Sequence, residues 1–589
     1  MRRLFGYMRS VAWRYAFGIL CTFATATLAM LVPYLLKSGI DAIGAGHYER
    51  LSKIAEEIAG AALLMGAARS CSRFTIFNCG RDIEYEMRKD LFERLMHLGG
   101  DFYERLRTGD LMSRMINDLS AVRMMLGMGV LSISDTPLRY VLALSFMLSM
   151  NTRLTLATLV PYVVLFTAMK RMTRSLMERS LRVQEGLAEL GSKVQESLTG
   201  IHVIKAYCVE QYDAQTFRKL NDEFNQQGLS LARMRGSMFP MVRSTVATAV
   251  MIVLIYGGTL VQRHVMTLGE LIAFIGYLGQ LAWPTTSLGW MLSIYQRGKA
   301  ALRRLEVIYD TPLPVSVAVD GKVEIAGEVE WQNVSFSYFS WMSASINGQP
   351  YALRDISVKV EAGSKLAIVG RTGAGKSTMV KLLTRLLEPT SGRILLDGRD
   401  IRDIPLSELR RAVGVVPQEA NLFSQTIAYN AAFGRVGAGR DEIMDAVRVA
   451  GLDGDLAAMP RGIDTVVGER GMSLSGGQKQ RVTIARALIY DAPVLVLDDA
   501  LASVDTETEQ MVLQNLTEGA RGRTTIVVSH RASTVRDADH IIVLDGGRIV
   551  ERGTHEELMA EGGIYAELFR RQLLEEELAA IDNGRAGTN

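Results

Sequence analysis

Apolar residues are spread unevenly along the chain. Over roughly the first 300 residues they gather into runs near the 20-residue length of a bilayer crossing, whereas shorter apolar runs between Gly-rich stretches fill the remainder. A basic amphipathic stretch from Arg2 to Arg14 is expected to lie along the cytoplasmic membrane surface. The first span is expected from Tyr15 to Leu36, ending at Lys37. After a polar turn at Gly44-Ala45-Gly46-His47, a second span begins near Ile54 and fades into a charged helix through Arg81, Lys89 and Arg94. The third and fourth spans, Leu131 to Met150 and Leu154 to Met169, form a hairpin around Asn151-Thr152-Arg153. The segment from Lys170 to Arg235 reads as long charged helix with Gly200 as a bend. A fifth span covers Val246 to Val261, and a sixth covers Leu268 to Ile294, broken or kinked at Pro284. Basic pairs such as Arg2-Arg3 and Lys170-Arg171 flank these runs as cytoplasmic residues do.

Two arginines fall inside the second span. Arg69 and Arg73 are one helical turn apart on one face. Near the inner boundary they would reach for lipid headgroups; the alternative is that they line a cavity accepting an anionic substrate.

The span pattern ends at Asp310, where Pro312 and Pro314 mark a linker. The expected organisation is a transmembrane domain over 1–309 with six spans and long intracellular helices, a linker over 310–322, a second domain over 323–579 and a polar tail over 580–589. In the second domain, Leu366–Val369, Val413–Val416, Val494–Leu497 and Ile526–Val528 read as strands with helical segments between them. That alternation predicts an α/β nucleotide-binding fold.

Composition narrows this picture modestly. At 589 residues the chain exceeds what one core supports. A net charge of +3 gives no reason to expect a nucleic-acid partner. Cys21, Cys71, Cys79 and Cys208 lack metal-ligand spacing and read as plain thiols. The 29 methionines supply adaptable apolar contacts or simply face lipid. The first apolar run has no small-residue cleavage site, so it reads as a retained anchor.

The chemistry is concentrated in the second domain. Gly370-Arg371-Thr372-Gly373-Ala374-Gly375-Lys376-Ser377, followed by Thr378, is a complete phosphate loop between a predicted strand and a predicted helix. Its glycines let backbone N–H groups curl around phosphate, Lys376 reaches the terminal phosphates, and Ser377 ligates Mg2+. Asp498, at the end of the strand Val494–Leu497, is the expected partner in the magnesium shell. Asp499 beside it is the candidate water-positioning base. Two adjacent buried acids raise each other's cost of ionisation, and a divalent ion relieves it.

With these motifs in place, the chain resembles the ATP-binding cassette exporter superfamily, with a type IV exporter membrane domain, from the first span to about Glu575. The resemblance implies ATP and Mg2+ as ligands. It makes Leu474-Ser475-Gly476-Gly477-Gln478 the signature motif, with Ser475, Gly476, Gly477 and Gln478 capping ATP held by an opposite cassette. Tyr338 resembles the aromatic that stacks on adenine, with Tyr351 as a rival beyond an insertion within 339–350. Gln418 resembles the residue joining magnesium and attacking water to the membrane-domain contact, and so counts among both metal and catalytic candidates. His530 resembles the switch histidine at the γ-phosphate. Gly468-Glu469-Arg470-Gly471 resembles a cross-interface segment, and Ser503-Val504-Asp505 the loop between the two ATP sites. Coupling helices are implied near Gly109–Arg114, continuing to Asn117-Asp118, and near Glu210–Asp213.

Strongly hydrolytic cassettes of this superfamily carry glutamate where Asp499 stands, and aspartate is one methylene shorter. That departure resembles the degenerate-site subunit of heterodimeric bacterial multidrug exporters. It implies a partner half-transporter, a distinct chain bearing the catalytic glutamate, with a homodimer as the rival. The implied function is ATP-driven export of amphipathic small molecules or drugs across the bacterial inner membrane, with the cassette in the cytoplasm and membrane lipids as surroundings. The alternative is a lipid flippase or lipid exporter. A channel-like gating subunit and a soluble DNA-repair ATPase are weaker rivals, the latter incompatible with six apolar spans.

Overall fold

A computed structural model of the chain describes residues 2–313, 325–338, 351–435, 437–468, 471, 473–501, 508–509, 511–512, 514–515, 522–529 and 532–574. Two compact units are present: Met1–His97 with Arg107–Pro312, and Leu98–Leu106 with Leu313–Asn589.

The first unit is built from helices. Arg2–Ser10 is followed by Ala12–Gly44, Glu49–His97, Thr108–Met150, Thr152–Thr199, Glu210–Gln262 and Leu268–Asp310. Among the described residues, Ala12–Gly44, Thr108–Met150, Thr152–Thr199 and Glu210–Gln262 are long and apolar enough to cross a membrane, and Leu268–Ala282 is a shorter apolar stretch. Glu49–His97 is 49 residues long with charges along it.

Several sequence features explain where these helices stop or continue. The Asn151 side chain accepts from the Leu154 N–H at 3.0 Å, capping Thr152–Thr199 and closing the hairpin. Thr267 and Glu270 form a reciprocal capping box at the start of Leu268–Asp310. Gly200 ends Thr152–Thr199, and a short helix, Ile201–Ala206, follows. The expected break at Pro284 does not occur: Leu268–Asp310 is continuous through it. Proline removes one N–H, but packed neighbouring helices and hydroxyl side chains sustain such a helix; here Thr285 donates to the Leu281 carbonyl at 2.7 Å. Helix packing uses sparse polar links: Tyr277 donates to the Met30 carbonyl at 3.1 Å and Tyr162 to the Leu278 carbonyl at 3.0 Å. Phe146 stacks on Tyr277 at 5.4 Å.

The second unit is α/β. Its strands are β1 (Val329–Phe336), β2 (Leu353–Val360), β3 (Lys365–Gly370), β4 (Ser391–Leu396), β5 (Arg399–Asp400), β6 (Val413–Val416), β7 (Val494–Asp498), β8 (Thr524–Val528), β9 (His540–Asp545) and β10 (Arg548–Gly553). An antiparallel sheet runs β2-β1-β4-β5. A six-stranded sheet runs β10-β9-β3-β8-β7-β6, parallel from β9 to β6. All four strands read from the sequence lie in this sheet, and β7 is buried at every position, as a strand covered on both faces should be.

The short helix Gly100–Arg105 belongs to this α/β unit. Glu104 pairs with Lys381 at 2.7 Å, on the helix that opens at the phosphate loop. The segment Gly109–Asp118, one of the two expected coupling turns, lies in the helical unit. There Asp118 accepts from Arg304 Nε at 2.8 Å and Arg114 donates to the Arg304 carbonyl at 2.8 Å. The segment's last five residues, Arg114–Asp118, form a π-helical turn.

Candidate functional site

The site grows from the C-terminal ends of the central strands, where α/β sheets present loops to ligands. β3 delivers the chain into the phosphate loop. A Cβ on Gly370 would stand 2.3 Å from the Leu544 carbonyl oxygen, and one on Gly375 would stand 2.7 Å from both the Ala352 oxygen and Leu353 Cδ2. Gly375 also has φ +103°, a backbone that L side chains adopt only with strain. These two positions therefore admit no larger residue without moving the backbone. Directly after them Lys376–Leu383 turns into helix.

Lys376 folds back over the loop, donating to the Gly370 carbonyl at 2.8 Å and the Arg371 carbonyl at 3.1 Å. Burial pulls its ammonium below the usual lysine range, while Asp499 and Asp498 oppose that shift. Ser377 donates from Oγ to Asp498 Oδ1 at 3.0 Å. Burial pushes the Asp498 carboxyl above the usual range; the Ser377 hydrogen bond counteracts this, Asp499 adds to it, and Lys376 and Lys381 oppose it. An ionised carboxylate held this way gains from added positive charge. Hydroxyl and carboxylate are hard oxygen donors, so the pair fits magnesium.

Asp499 follows with φ +46°, and its N–H donates to the Val528 carbonyl at 2.8 Å. Aspartate is among the few non-glycine residues common in this left-handed region. Tyr338 stands edge-on to Phe336, with its hydroxyl 3.2 Å from Thr378 Oγ1. Tyr351, the rival aromatic, lies beneath the Arg354 guanidinium at 5.4 Å. Gln418 is exposed on the turn after β6. His530, Glu469, Arg470, the segment 503–505 and the insertion 339–350 lie outside the described residues.

The signature residues form a separate structure. Ser475 caps the helix Gly476–Tyr490: its Oγ accepts from the Gln478 N–H at 3.2 Å, and Gln478 Oε1 accepts from the Ser475 N–H at 2.9 Å. Gln478 also donates to Asp455 at 2.8 Å, and Arg481 pairs with the same carboxylate at 2.8 Å. Asp455 thus orients the motif from outside it, and no sequence pattern singles it out. Among the described residues, no hydrogen bond or ion pair joins Ser475–Gln478 to residues 370–378.

Residues 15–285 match the family described as ABC transporter transmembrane region, and residues 353–502 match the family described as ABC transporter. A probable multidrug resistance ABC transporter ATP-binding/permease protein, YheI of Bacillus subtilis, is 36% identical over 99% of this chain and all of that protein. The multidrug resistance-like ATP-binding protein MdlA of Escherichia coli is 33% identical over 98% of this chain and 97% of its own length. An ATP-dependent lipid A-core flippase of Syntrophus aciditrophicus is 32% identical over 98% of this chain and 95% of its own length. The structure of a bacterial Atm1-family ABC exporter with ATP bound superposes with a TM-score of 0.76 at 29% identity, covering 96% of this chain and 98% of that one.

These matches correct one expectation. The assignment to a degenerate-site subunit of a heterodimeric exporter, and with it a distinct glutamate-bearing partner, is overturned by similarity running through both domains of MdlA, the flippases and the Atm1-family exporter. The physical reason is plain: one missing methylene at Asp499 changes the reach of one side chain and carries no information about the chain across the interface. Full-length similarity to these proteins, together with the phosphate loop, Asp498 and the membrane helices, makes the chain a member of the ABC transporter family: an ATP-driven exporter of the bacterial inner membrane, with a multi-pass domain and a cytoplasmic nucleotide-binding domain in one chain.

Proposed function

We propose that two copies of this chain, each with six spans, form an exporter of amphipathic small molecules or lipids, hydrolysing ATP at two equivalent sites. One observation carries the reading. A complete phosphate-loop half-site and a complete, capped signature half-site are both present in the chain, and no hydrogen bond or ion pair among the described residues joins them within it. Two copies arranged head to tail supply each half-site with its complement. Exposed Val203, Tyr207 and Tyr212, at the turn between Thr152–Thr199 and Glu210–Gln262, offer an apolar surface for a second copy's cassette. The relatives point to the cargo class, since one is named for multidrug resistance and another for lipid A-core flipping.

In this reading Gly370 to Gly375 and Thr378 shape the phosphate cradle, Lys376 binds the terminal phosphates and Tyr338 stacks on adenine. Ser377, Asp498 and Gln418 hold magnesium, whose charge stabilises the transferring phosphoryl group. Asp499 orients the attacking water and takes its proton, with Gln418 and His530 completing the site. Ser475 to Gln478 close over the nucleotide of the other copy. Closing the cassettes then turns the membrane cavity outward.

The reading is tested with differently tagged copies of this chain expressed together. Co-purification of the two tags, and ATP-dependent accumulation of a lipophilic dye in inside-out vesicles that is lost in Lys376→Ala, are expected. A strictly monomeric chain, or uptake indifferent to Lys376→Ala, would sink it.

A further inference from the structure

Within the helical unit, a two-lobed cavity has walls contributed by all six long helices. The larger lobe holds about 640 Å³ and the smaller about 290 Å³, and Arg73, Leu131 and Asp135 line both. The combined space lies in the range of small-molecule sites. The larger lobe is greasy over most of its wall, with Met169, Met238, Phe239 and Trp290.

Its polar lining is one-sided. Arg69, Arg73, Arg139 and Arg235 line the two lobes, and Asp135 is the one carboxylate among their lining residues. Asp135 is already engaged: Arg139 Nε lies 2.8 Å from each of its oxygens. Arg69, Arg73 and Arg235 have no hydrogen-bond or ion-pair partner among the described residues.

Depth decides how to read those free guanidinium groups. Thr22 Oγ1 and Ser72 Oγ touch at 2.5 Å, which sets Arg73 level with the first apolar helix near Thr22. Thr22 lies seven residues beyond Tyr15, where the apolar run begins, or ~10 Å of helical rise. At that level Arg69 and Arg73 line the cavity. Charged residues at such depth normally pair with one another or line a path for cargo; here the protein's own carboxylate is spent on Arg139.

We infer that this cavity selects amphipathic anions, with Arg73 and Arg235 supplying the countercharge to the head and the Met-Phe-Trp wall receiving the apolar body. The inference rests on the export reading above and names its substrate class.

The test measures binding of radiolabelled decyl phosphate and decyltrimethylammonium, which share one tail, to the full chain in phosphatidylcholine nanodiscs. The anion is expected to bind at least ~tenfold more tightly, a difference set by head charge alone. Arg73→Gln with Arg235→Gln is expected to erase that preference, weakening the anion and strengthening the cation as the positive charge is removed, while leaving nucleotide binding unchanged. Arg73→Lys with Arg235→Lys, which keeps the charge, should retain it. Adding phosphatidylglycerol to the disc identifies the source. Weakened decyl phosphate binding means a lipid headgroup competes for the site, unchanged binding means a soluble amphiphile is preferred, and either leaves anion selection standing. Equal binding of both heads, or preference for the cation, overturns the inference and leaves the export reading intact. Failure of both amphiphiles to bind overturns the two together.

Discussion

In the nucleotide-binding unit, Asp498 is buried at the end of β7 with Ser377 donating to it, and Lys376 folds over adjacent carbonyls. In the helical unit, Arg69, Arg73 and Arg235 face a cavity without a partner among the described residues. Both regions place charge on the wall of a candidate site, yet they treat it differently. The cassette's ligand is always the same, so its residues can be pre-positioned by short hydrogen bonds and rigid glycines. A transporter's cargo arrives and leaves, and countercharge left unfilled by the protein gives it something to bind. Fixed chemistry goes with satisfied groups, and variable cargo goes with unsatisfied ones.

The strongest way to break the cassette side of this comparison is at Asp499. Asp499→Asn keeps the left-handed backbone but removes the base, and ATPase activity is expected to fall by ~10²-fold or more, with nucleotide binding retained. Near-normal turnover by the purified variant would show that Asp499 does not act on the water. Gly375→Ala attacks the rigid loop instead. A Cβ 2.7 Å from the Ala352 oxygen, at φ +103°, is expected to cost about 2–4 kcal/mol and to abolish ATP binding. Thermal unfolding with and without nucleotide checks both effects.

The same contrast governs how much of the molecule is legible in its amino-acid sequence. The phosphate loop is eight consecutive residues whose function depends on local backbone, and β3, β7 and β8 fall where their apolar runs stand. The hairpin at Asn151 is legible because its cap is local. The cavity is not, because its walls come from helices more than 200 residues apart, and a residue's face on a long membrane helix is set by packing. Arg69 and Arg73 stand out in the sequence as anomalies with two readings open, but nothing there joins Arg235 or Asp135 to them. The short helix Gly100–Arg105 escapes for a related reason: six residues leave no periodic signature, and Glu104 meets Lys381 across 277 positions. Asp499 teaches the opposite lesson. Its departure from glutamate is local and plainly visible, but it says nothing about the identity of a partner chain.

Within the helical unit, partnered and unpartnered charges should respond differently to removal. Asp118 is buried and accepts from Arg304, which is about half exposed. Asp118→Ala is expected to cost about 1–2 kcal/mol, below the value for a fully buried pair because water screens the arginine it leaves. Arg73→Gln removes a charge with no protein partner among the described residues and is expected to shift stability by less than ~0.5 kcal/mol. Apparent melting temperatures of the two variants in one nanodisc preparation test this. A larger loss for Arg73→Gln would mean the cavity's charge is structural.

The effect with the clearest sign belongs to the cassette. Asp498 has its pKa raised by burial, so folding favours its protonated form. The stabilising contribution of that protonated form is fully present below the unfolded value near 3.9, and it is lost as pH rises through the higher folded value. Above that folded value the nucleotide-free protein carries an ionised carboxylate at a net cost. Asp498→Asn keeps a side-chain oxygen for Ser377 while removing that charge. It is expected to raise the apparent melting temperature of the nucleotide-free protein by ~2–4 °C at pH 7, and to flatten the rise in stability on acidification. The same variant loses the carboxylate proposed to hold magnesium, so stabilisation by ATP with magnesium should shrink. Greater stability without ligand and less with it is the signature of a charge placed for its ligand; a destabilised, ligand-indifferent variant would make Asp498 an ordinary structural acid.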